Sequence, residues 1–213
     1  MLDLVIKGAT VIDGTGAEGT VMDVGIEGDK IVEIASSIEA ESAETLNATG
    51  LVLSPGFIDV HSHDDFHVLI EPEVQHNILQ GITTVIVGNC GSGAGVPDGG
   101  KTQVTAINEP SADLPDWSGY GEYFEHVDKT SPVLNVAALI GHHTLRKQAM
   151  GGIADRPPTD AEMTDMLAYV EEGMQAGAVG LSTGLVYEPG RYANTEEVAA
   201  LAGVSGKHGG LYV

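Results

Sequence analysis

The chain has 213 residues, of which 42% are hydrophobic, enough for one or two folded domains and too many for a disordered protein. Its 31 acidic and 9 basic residues give a formal net charge of -22, so we expect neither a nucleic acid nor an anionic membrane as a partner. One cysteine excludes an internal disulfide, and no run approaches the roughly 18 apolar residues of a membrane span. Because the first residues also lack the pattern of a signal peptide, we expect a cytoplasmic protein.

Residues 1–54 carry β-rich runs separated by turn residues. The first two runs are broken at Gly8, and Asp13-Gly14 and Gly28-Asp29 have the chemistry of tight turns. No helical period of useful length occurs in this part of the chain. The pattern therefore predicts a small β domain over 1–54, which we interpret as part of a β-sandwich.

Residues 55–213 alternate between strand and helix patterns. Strands are predicted in "GFIDV", "TTVIVGN", "VLNVAALIG", "AVGLSTG" and "GLYV", and helices in "EPEVQHNILQG", "TDAEMTDMLAYVEEGMQAG" and "TEEVAALAGVSGKH". A long loop from about Gly91 to Ser131 contains a weak helix pattern at "YGEYFEHV". This alternation predicts a parallel sheet. A (β/α)8 barrel has eight strands and we count five, so the pattern fits either an open sheet or the first five strands of an incomplete TIM-type barrel.

Two histidines, His61 and His63, follow the first strand of this α/β part. Side chains at i and i+2 of an extended chain point the same way, and the carboxyl ends of parallel strands carry the chemistry in such folds. The two imidazoles could therefore converge on one metal ion, with Asp64 and Asp65 orienting them. The competing interpretation is a pair of surface histidines.

The single cysteine, Cys90, follows the next strand and precedes a glycine-rich loop. Neighbouring parallel strands lie about 4.8 Å apart, so the thiolate could reach the same ion as the two histidines. Two imidazoles and a thiolate suit zinc. The alternative is a small buried side chain, the commoner fate of a lone cysteine. His142, His143 and Arg146 follow the third strand at the same edge, where we favour hydrogen bonding or loop ordering over metal ligation.

Four segments, "SPGFIDVHSHDD", "GITTVIVGNCG", "GHHTLR" and "GAVGLSTGLVYEPG", resemble the amidohydrolase superfamily, specifically its N-acyl-D-amino-acid deacylases. The resemblance covers the whole chain and implies a (β/α)8 barrel with one or two zinc ions. It implies that His61 and His63 are ligands of one metal position and Cys90 of the tighter one. In this family the cysteine takes the place of the carboxylated lysine of dihydroorotases and hydantoinases. The resemblance also implies that Tyr187 binds the substrate carboxylate.

The activity that the resemblance implies is hydrolysis of a linear amide bond, which converts an N-acyl-D-amino acid and water into a carboxylate and a D-amino acid. Family members are much longer, and their general-base aspartate and two further histidine ligands would lie beyond Val213. We therefore expect the 213-residue chain to be an inactive fragment of a barrel over 55–213, with self-association possible.

Two other functions remain open at this stage. One is a cyclic amidohydrolase of the dihydropyrimidinase or dihydroorotase type, although "AVGLSTG" contains no lysine. The other is a binding or assembly remnant without catalysis.

Overall fold

The computed structural model describes residues 1–95 and 114–213, which divide into two compact units, Met1–Gly56 and Phe57–Val213. The part of the predicted Gly91–Ser131 loop that spans 96–113 lies outside the described residues. Among the described residues, no helix is long and apolar enough to cross a membrane.

The first unit is a five-stranded mixed sheet. Its strands are β1 (Leu2–Val11), β2 (Thr20–Glu27), β3 (Lys30–Ala35), β4 (Ser42–Asn47) and β5 (Val52–Leu53). The order is β3-β2-β1-β4, and β5 also pairs with β1. The predicted break at Gly8 is wrong, because β1 runs through it with an irregular register and the Asp23 carboxylate accepts the Gly8 N–H at 2.8 Å.

The buried side of this sheet carries Leu2, Val5 and Ile38. Asp23 also accepts the N–H of Ile38 at 3.0 Å, which anchors the segment after β3 beneath the sheet. The strands described for residues 1–56 belong to one sheet, so the β-sandwich remains a prediction.

The second unit contains a parallel sheet whose strands follow one another in chain order. They are β6 (Phe57–Asp59), β7 (Ile82–Val87), β8 (Asn135–Gly141), β9 (Gly180–Ser182) and β10 (Leu211–Tyr212). Each strand is parallel to its neighbour, which confirms the predicted parallel sheet. All five carboxyl ends therefore lie along one edge, and closure into a barrel remains a prediction.

The helices of this unit lie between the strands. They are α1 (His67–Ile70), α2 (Gln75–Ile78), α3 (Tyr120–Thr130), α4 (His142–Met150), α5 (Asp160–Ala176) and α6 (Thr195–Lys207), with a 3-10 turn at Gly190–Tyr192. The helix predicted for "EPEVQHNILQG", residues 71–81, is present only as α2 over Gln75–Ile78. Glu71, before Pro72, is non-helical, as residues before proline tend to be, and Val74 is left-handed at φ 37°, so the helix starts only at Gln75.

The core of the second unit lies between the sheet and the helices α3, α5 and α6. Its fully buried members include Val85, Ile140, Leu181, Tyr120, Tyr123, Met166, Val170 and Leu201. Each such side chain contributes about 1.5–3 kcal/mol by leaving water. Three residues of the predicted apolar face of α5, Met166, Val170 and Met174, are buried as expected. This packing holds the strands in register and thereby fixes the edge that their carboxyl ends share.

Replacing Thr159 tests the start of α5. Thr159 accepts the N–H of Glu162, whose carboxylate accepts the N–H of Thr159, as the sequence pattern predicts. We expect Thr159→Ala to lower the free energy of unfolding in urea by about 1 kcal/mol, because the N–H of Glu162 loses its acceptor and the Glu162 carboxylate loses the hydroxyl donor. The matched control is Thr164→Ala, which removes an exposed hydroxyl from the same helix. Equal unfolding free energies for the two variants would contradict the role of the cap.

Candidate metal centre

His61 and His63 lie in the loop directly after β6. They are therefore not part of the extended strand from which we expected both side chains to point the same way. The N–H of His61 donates to the Asp59 carboxylate at 3.0 Å. Between the histidines, the N–H of Ser62 donates to the carbonyl of Ile86 in β7 at 3.0 Å, which prolongs the strand pairing. Ser62 is thereby buried, and the two flanking imidazoles lie with their ring centroids 5.6 Å apart.

Cys90 lies in a sharply turned loop after β7. Its φ is 55°, and Gly88 and Gly91 on either side also have positive φ. Ser182, at the end of β9, is fully buried beneath this loop. Its hydroxyl donates to the carbonyl of Gly88 and accepts the N–H of Gly91 at 3.0 Å. The strained conformation of Cys90 is therefore held from both sides by one side chain of a strand 92 residues later in the chain.

These two loops bring three metal-binding atoms together. The Sγ of Cys90 is 3.2 Å from Nε2 of His61, and one ligand atom from each of His61, His63 and Cys90 lies within 4.8 Å of the others. Burial and the nearby His61 lower the pKa of His63, which favours the neutral imidazole that a metal requires. Both histidines are exposed, so the cluster is open on one side. Two nitrogens and a sulfur with an open side fit a zinc ion.

Asp64 and Asp65 were predicted to orient the imidazoles of His61 and His63. The Asp65 carboxyl is buried against the backbone N–H groups of Gly88 and Ala94, and burial raises its pKa to about 7. Asp64 accepts hydrogen bonds from its neighbour Ser62 and from side chains on α2. The described hydrogen bonds of both carboxyls thus shape the loops and do not go to the imidazoles of His61 and His63.

His143 and Tyr187 lie at the same edge of the sheet. His143 is the second residue of α4, and its Nε2 donates to the carbonyl of Gly184 at 3.1 Å. Burial, reinforced by His142, lowers the pKa of His143 to about 4, so the ring is neutral near pH 7. The Tyr187 ring lies perpendicular to the His143 ring, with centroids 6.5 Å apart, and is 58% exposed.

Arg146 and His142 were predicted at the same edge of the sheet as the metal ligands, but the structure buries both completely. Their common partner is Glu197 of α6, which receives two bonds from Arg146, at 2.6 and 2.7 Å, and one from Nε2 of His142 at 2.8 Å. Burial raises the pKa of Glu197, but these bonds outweigh it and the net pKa is lowered. The predicted role in ordering loops fits this arrangement, whereas exposure at the open edge of the sheet does not.

Glu197 is the residue that the sequence interpretation missed. An acidic pair in the first turn of a helix, such as Glu196-Glu197, is usually solvated and favours the helix start electrostatically. With Asn194 as the N-cap, the pair therefore needed no further explanation. Burial of Arg146, which makes a carboxylate partner necessary, is known only from the structure, so the sequence alone gave no local signal for Glu197.

A family model described as "Amidohydrolase family" matches residues 44–210. The N-acyl-D-glutamate deacylase of Alcaligenes xylosoxydans xylosoxydans is 42% identical over 212 residues, and the D-aminoacylase of the same organism is 36% identical over 217 residues. Each alignment covers 99% of this chain and 43% of the relative, so the chain spans less than half the length of these curated proteins.

A solved structure gives the same result. The crystal structure of N-acyl-D-glutamate deacylase from Bordetella bronchiseptica, complexed with zinc and a phosphonate inhibitor, is 37% identical and superposes with a TM-score of 0.89. The match covers 99% of this chain and 44% of that one. The resemblance noted in the sequence is confirmed: the chain belongs to the amidohydrolase family and is similar to N-acyl-D-glutamate deacylase and D-aminoacylase.

Proposed function

We propose that this chain supplies the zinc-binding residues and part of the substrate site of an N-acyl-D-amino-acid deacylase. The reaction hydrolyses the amide bond of an N-acyl-D-amino acid and releases a carboxylate and a free D-amino acid. The observation that carries the proposal is the cluster of His61, His63 and Cys90, whose ligand atoms lie within 4.8 Å of one another at the edge where a parallel α/β enzyme carries its chemistry.

In this proposal the three residues hold Zn²⁺, as one ion or as part of a two-ion site. When bound, zinc polarises the amide carbonyl and makes a nucleophile available at neutral pH. The chain's own contribution is to present one sulfur and two imidazole ligands on loops whose backbones are fixed by hydrogen bonds to Ile86 and Ser182. The crystallised relative with zinc and a phosphonate inhibitor supports this choice of metal.

Tyr187 is proposed to bind the substrate carboxylate. Its exposed ring stands beside His143 on the segment that follows β9, on the same edge as the metal cluster. A phenol can donate a hydrogen bond to a carboxylate. Because the chain carries a formal charge of -22, an anionic substrate would be bound by such local donors and the metal, and not by the overall field of the protein.

The domain assignment also stays a proposal. We assign residues 1–54 to a small β domain and 55–213 to the barrel. The described sheet of the second unit ends in β6 on one side and β10 on the other, in the order that consecutive strands of a (β/α)8 barrel would have.

A cyclic amidohydrolase is the weaker candidate. The dihydroorotases and hydantoinases named in the family resemblance use a carboxylated lysine as the bridging ligand. The strand β9 and its flanking residues, "AVGLSTG", contain no lysine, and Ser182 is instead used to hold the Cys90 loop. The site therefore favours a thiolate-bearing deacylase.

Zinc content tests the metal site. We expect Cys90→Ser to lose most of the zinc that the protein retains after dialysis, because the hydroxyl is a poor zinc ligand and the thiolate is a good one. Ser182→Ala should retain more zinc than Cys90→Ser. Its zinc affinity should fall about 10- to 100-fold, because Ser182 holds the loop and does not bind the ion. The measurement is elemental analysis beside a titration with a competing chelator. A Cys90→Ser variant with wild-type zinc content would show that Cys90 is only a packing residue.

Substrate class is best tested in a chimera in which these 213 residues replace the matching part of the Alcaligenes N-acyl-D-glutamate deacylase. We expect the chimera to release amine from an N-acetyl-D-amino acid, to leave the L-enantiomer intact and not to open dihydroorotate. Cys90→Ser in the chimera should lower kcat/KM by at least about 100-fold. Zinc content and a cooperative thermal melt control for folding.

Two results of the chimera assay would contradict the proposal. The first is a folded, zinc-loaded chimera that does not hydrolyse N-acetyl-D-amino acids. The second is a preference for dihydroorotate, which would support the cyclic amidohydrolase.

A further inference from the structure

The ring of His143 occupies a gap between two loops that come from different strands. On one side is the loop after β7 that carries Cys90, and on the other is the segment after β9 that carries Tyr187. The Nε2 of His143 bonds the second loop, and its backbone N–H bonds the first, at the carbonyl of Gly91 and 2.7 Å. One residue therefore contacts the proposed metal loop and the proposed substrate loop at once.

The bond to the substrate loop ends on a shared acceptor. The carbonyl of Gly184 accepts Nε2–H of His143 at 3.1 Å and also the N–H of Tyr187 at 2.8 Å. The position of Tyr187 is therefore tied to His143 through one oxygen atom. The perpendicular contact between the two rings adds a second restraint.

Three glycines show how closely the loops fit this ring. A Cβ on Gly91 would lie 2.8 Å from the His143 ring, and one on Gly190 would overlap Nε2. A Cβ on Gly184 would lie 3.1 Å from Cε1 of His143 and would overlap the carbonyl of Cys90. Side chains larger than hydrogen are excluded on three sides, so the size of the imidazole sets the spacing between the two loops.

We propose that His143 is a positioning residue that holds the Cys90 loop and the Tyr187 segment at a fixed separation, so that metal binding and substrate contact are coupled. This inference rests on the proposed function, because it assigns the two loops to metal and substrate. It predicts that a change of the ring alters both loops, and that a metal ion on Cys90 protects the Tyr187 segment.

Two readouts follow the two loops separately in the 213-residue chain. Cobalt(II) in place of zinc reports on Cys90 through the thiolate-to-cobalt charge-transfer band. Trypsin reports on the other loop, because the exposed Arg191 follows Tyr187 in the same segment, and cleavage after the exposed Lys129 on α3 serves as the internal reference.

We expect His143→Ala to weaken cobalt binding by about 10- to 100-fold and to raise the rate of cleavage after Arg191 about tenfold, because one hydrogen bond and the filler of the gap are lost. His143→Gln should restore most of both properties, since its amide nitrogen is as many bonds from Cα as Nε2 of histidine. His208→Ala, which changes a histidine that precedes β10 and contacts Glu171, is the control and should alter neither. Cobalt should slow cleavage after Arg191 in the wild type and not in His143→Ala.

Gly190→Ala by itself gives a test that does not require His143→Ala to fold. Its methyl group would meet the His143 ring, so this single variant should weaken cobalt binding at Cys90 as well as increase cleavage after Arg191, and unchanged cobalt binding in folded Gly190→Ala would overturn the proposal. The added methyl group should increase cleavage after Arg191 while His143 is present and should add little in the double variant with His143→Ala, where the space is free. Additive effects of the two changes would overturn the proposal. So would a folded His143→Ala chain with wild-type cobalt spectrum and wild-type cleavage.

The proteolysis of the metal-free chain separates this inference from the proposed function. If wild-type chain binds neither zinc nor cobalt, the proposed function fails. The effect of His143→Ala on cleavage after Arg191 is then still expected in the metal-free chain, and its absence overturns the positioning role.

Discussion

The candidate site depends on the backbone of the short loop from Gly88 to Gly91. The loop holds Cys90 in a left-handed conformation that costs free energy, and it keeps that conformation because Ser182 and the first residues of α4 bond its carbonyl and N–H groups. A sulfur atom on a relaxed loop would sample many positions. Here the Sγ of Cys90 lies 3.2 Å from Nε2 of His61.

The surroundings of this loop divide into two layers with different chemistry. The first layer consists of the cluster and the neighbouring His143, and in it burial lowers the pKa of both His63 and His143. Behind them lies the fully buried ion pair of Arg146 and Glu197, which joins α4 to α6. Such a pair is costly to desolvate and is better understood as fixing one arrangement of the helices than as a source of stability. A rigid second layer of this kind keeps the loops above it in register.

Much of the second unit was predictable because its signals are local. Strands β7 and β8, the helix α5 with its cap at Thr159 and the parallel order all follow from short-range patterns. The helix predicted over 71–81 is shortened to Gln75–Ile78, because Pro72 and the left-handed Val74 interrupt an otherwise helical composition. In the first unit, Gly8 was interpreted as a break, but Asp23 from the neighbouring strand carries β1 through it. Both errors arise where backbone geometry or a distant partner overrides residue preference.

The sequence by itself determined which residues are available for metal chemistry, since only His, Cys and carboxylate side chains bind zinc and their placement after strand patterns marks one edge of a parallel sheet. It also carried the family resemblance. Only the tertiary structure decided how those residues meet. In the folded chain Asp65 and Arg146 are buried away from the open edge, and Glu197 hydrogen-bonds to His142. His143 lies between two loops that are about 90 residues apart in the chain. Burial and partner choice depend on contacts between distant segments, which local patterns do not encode.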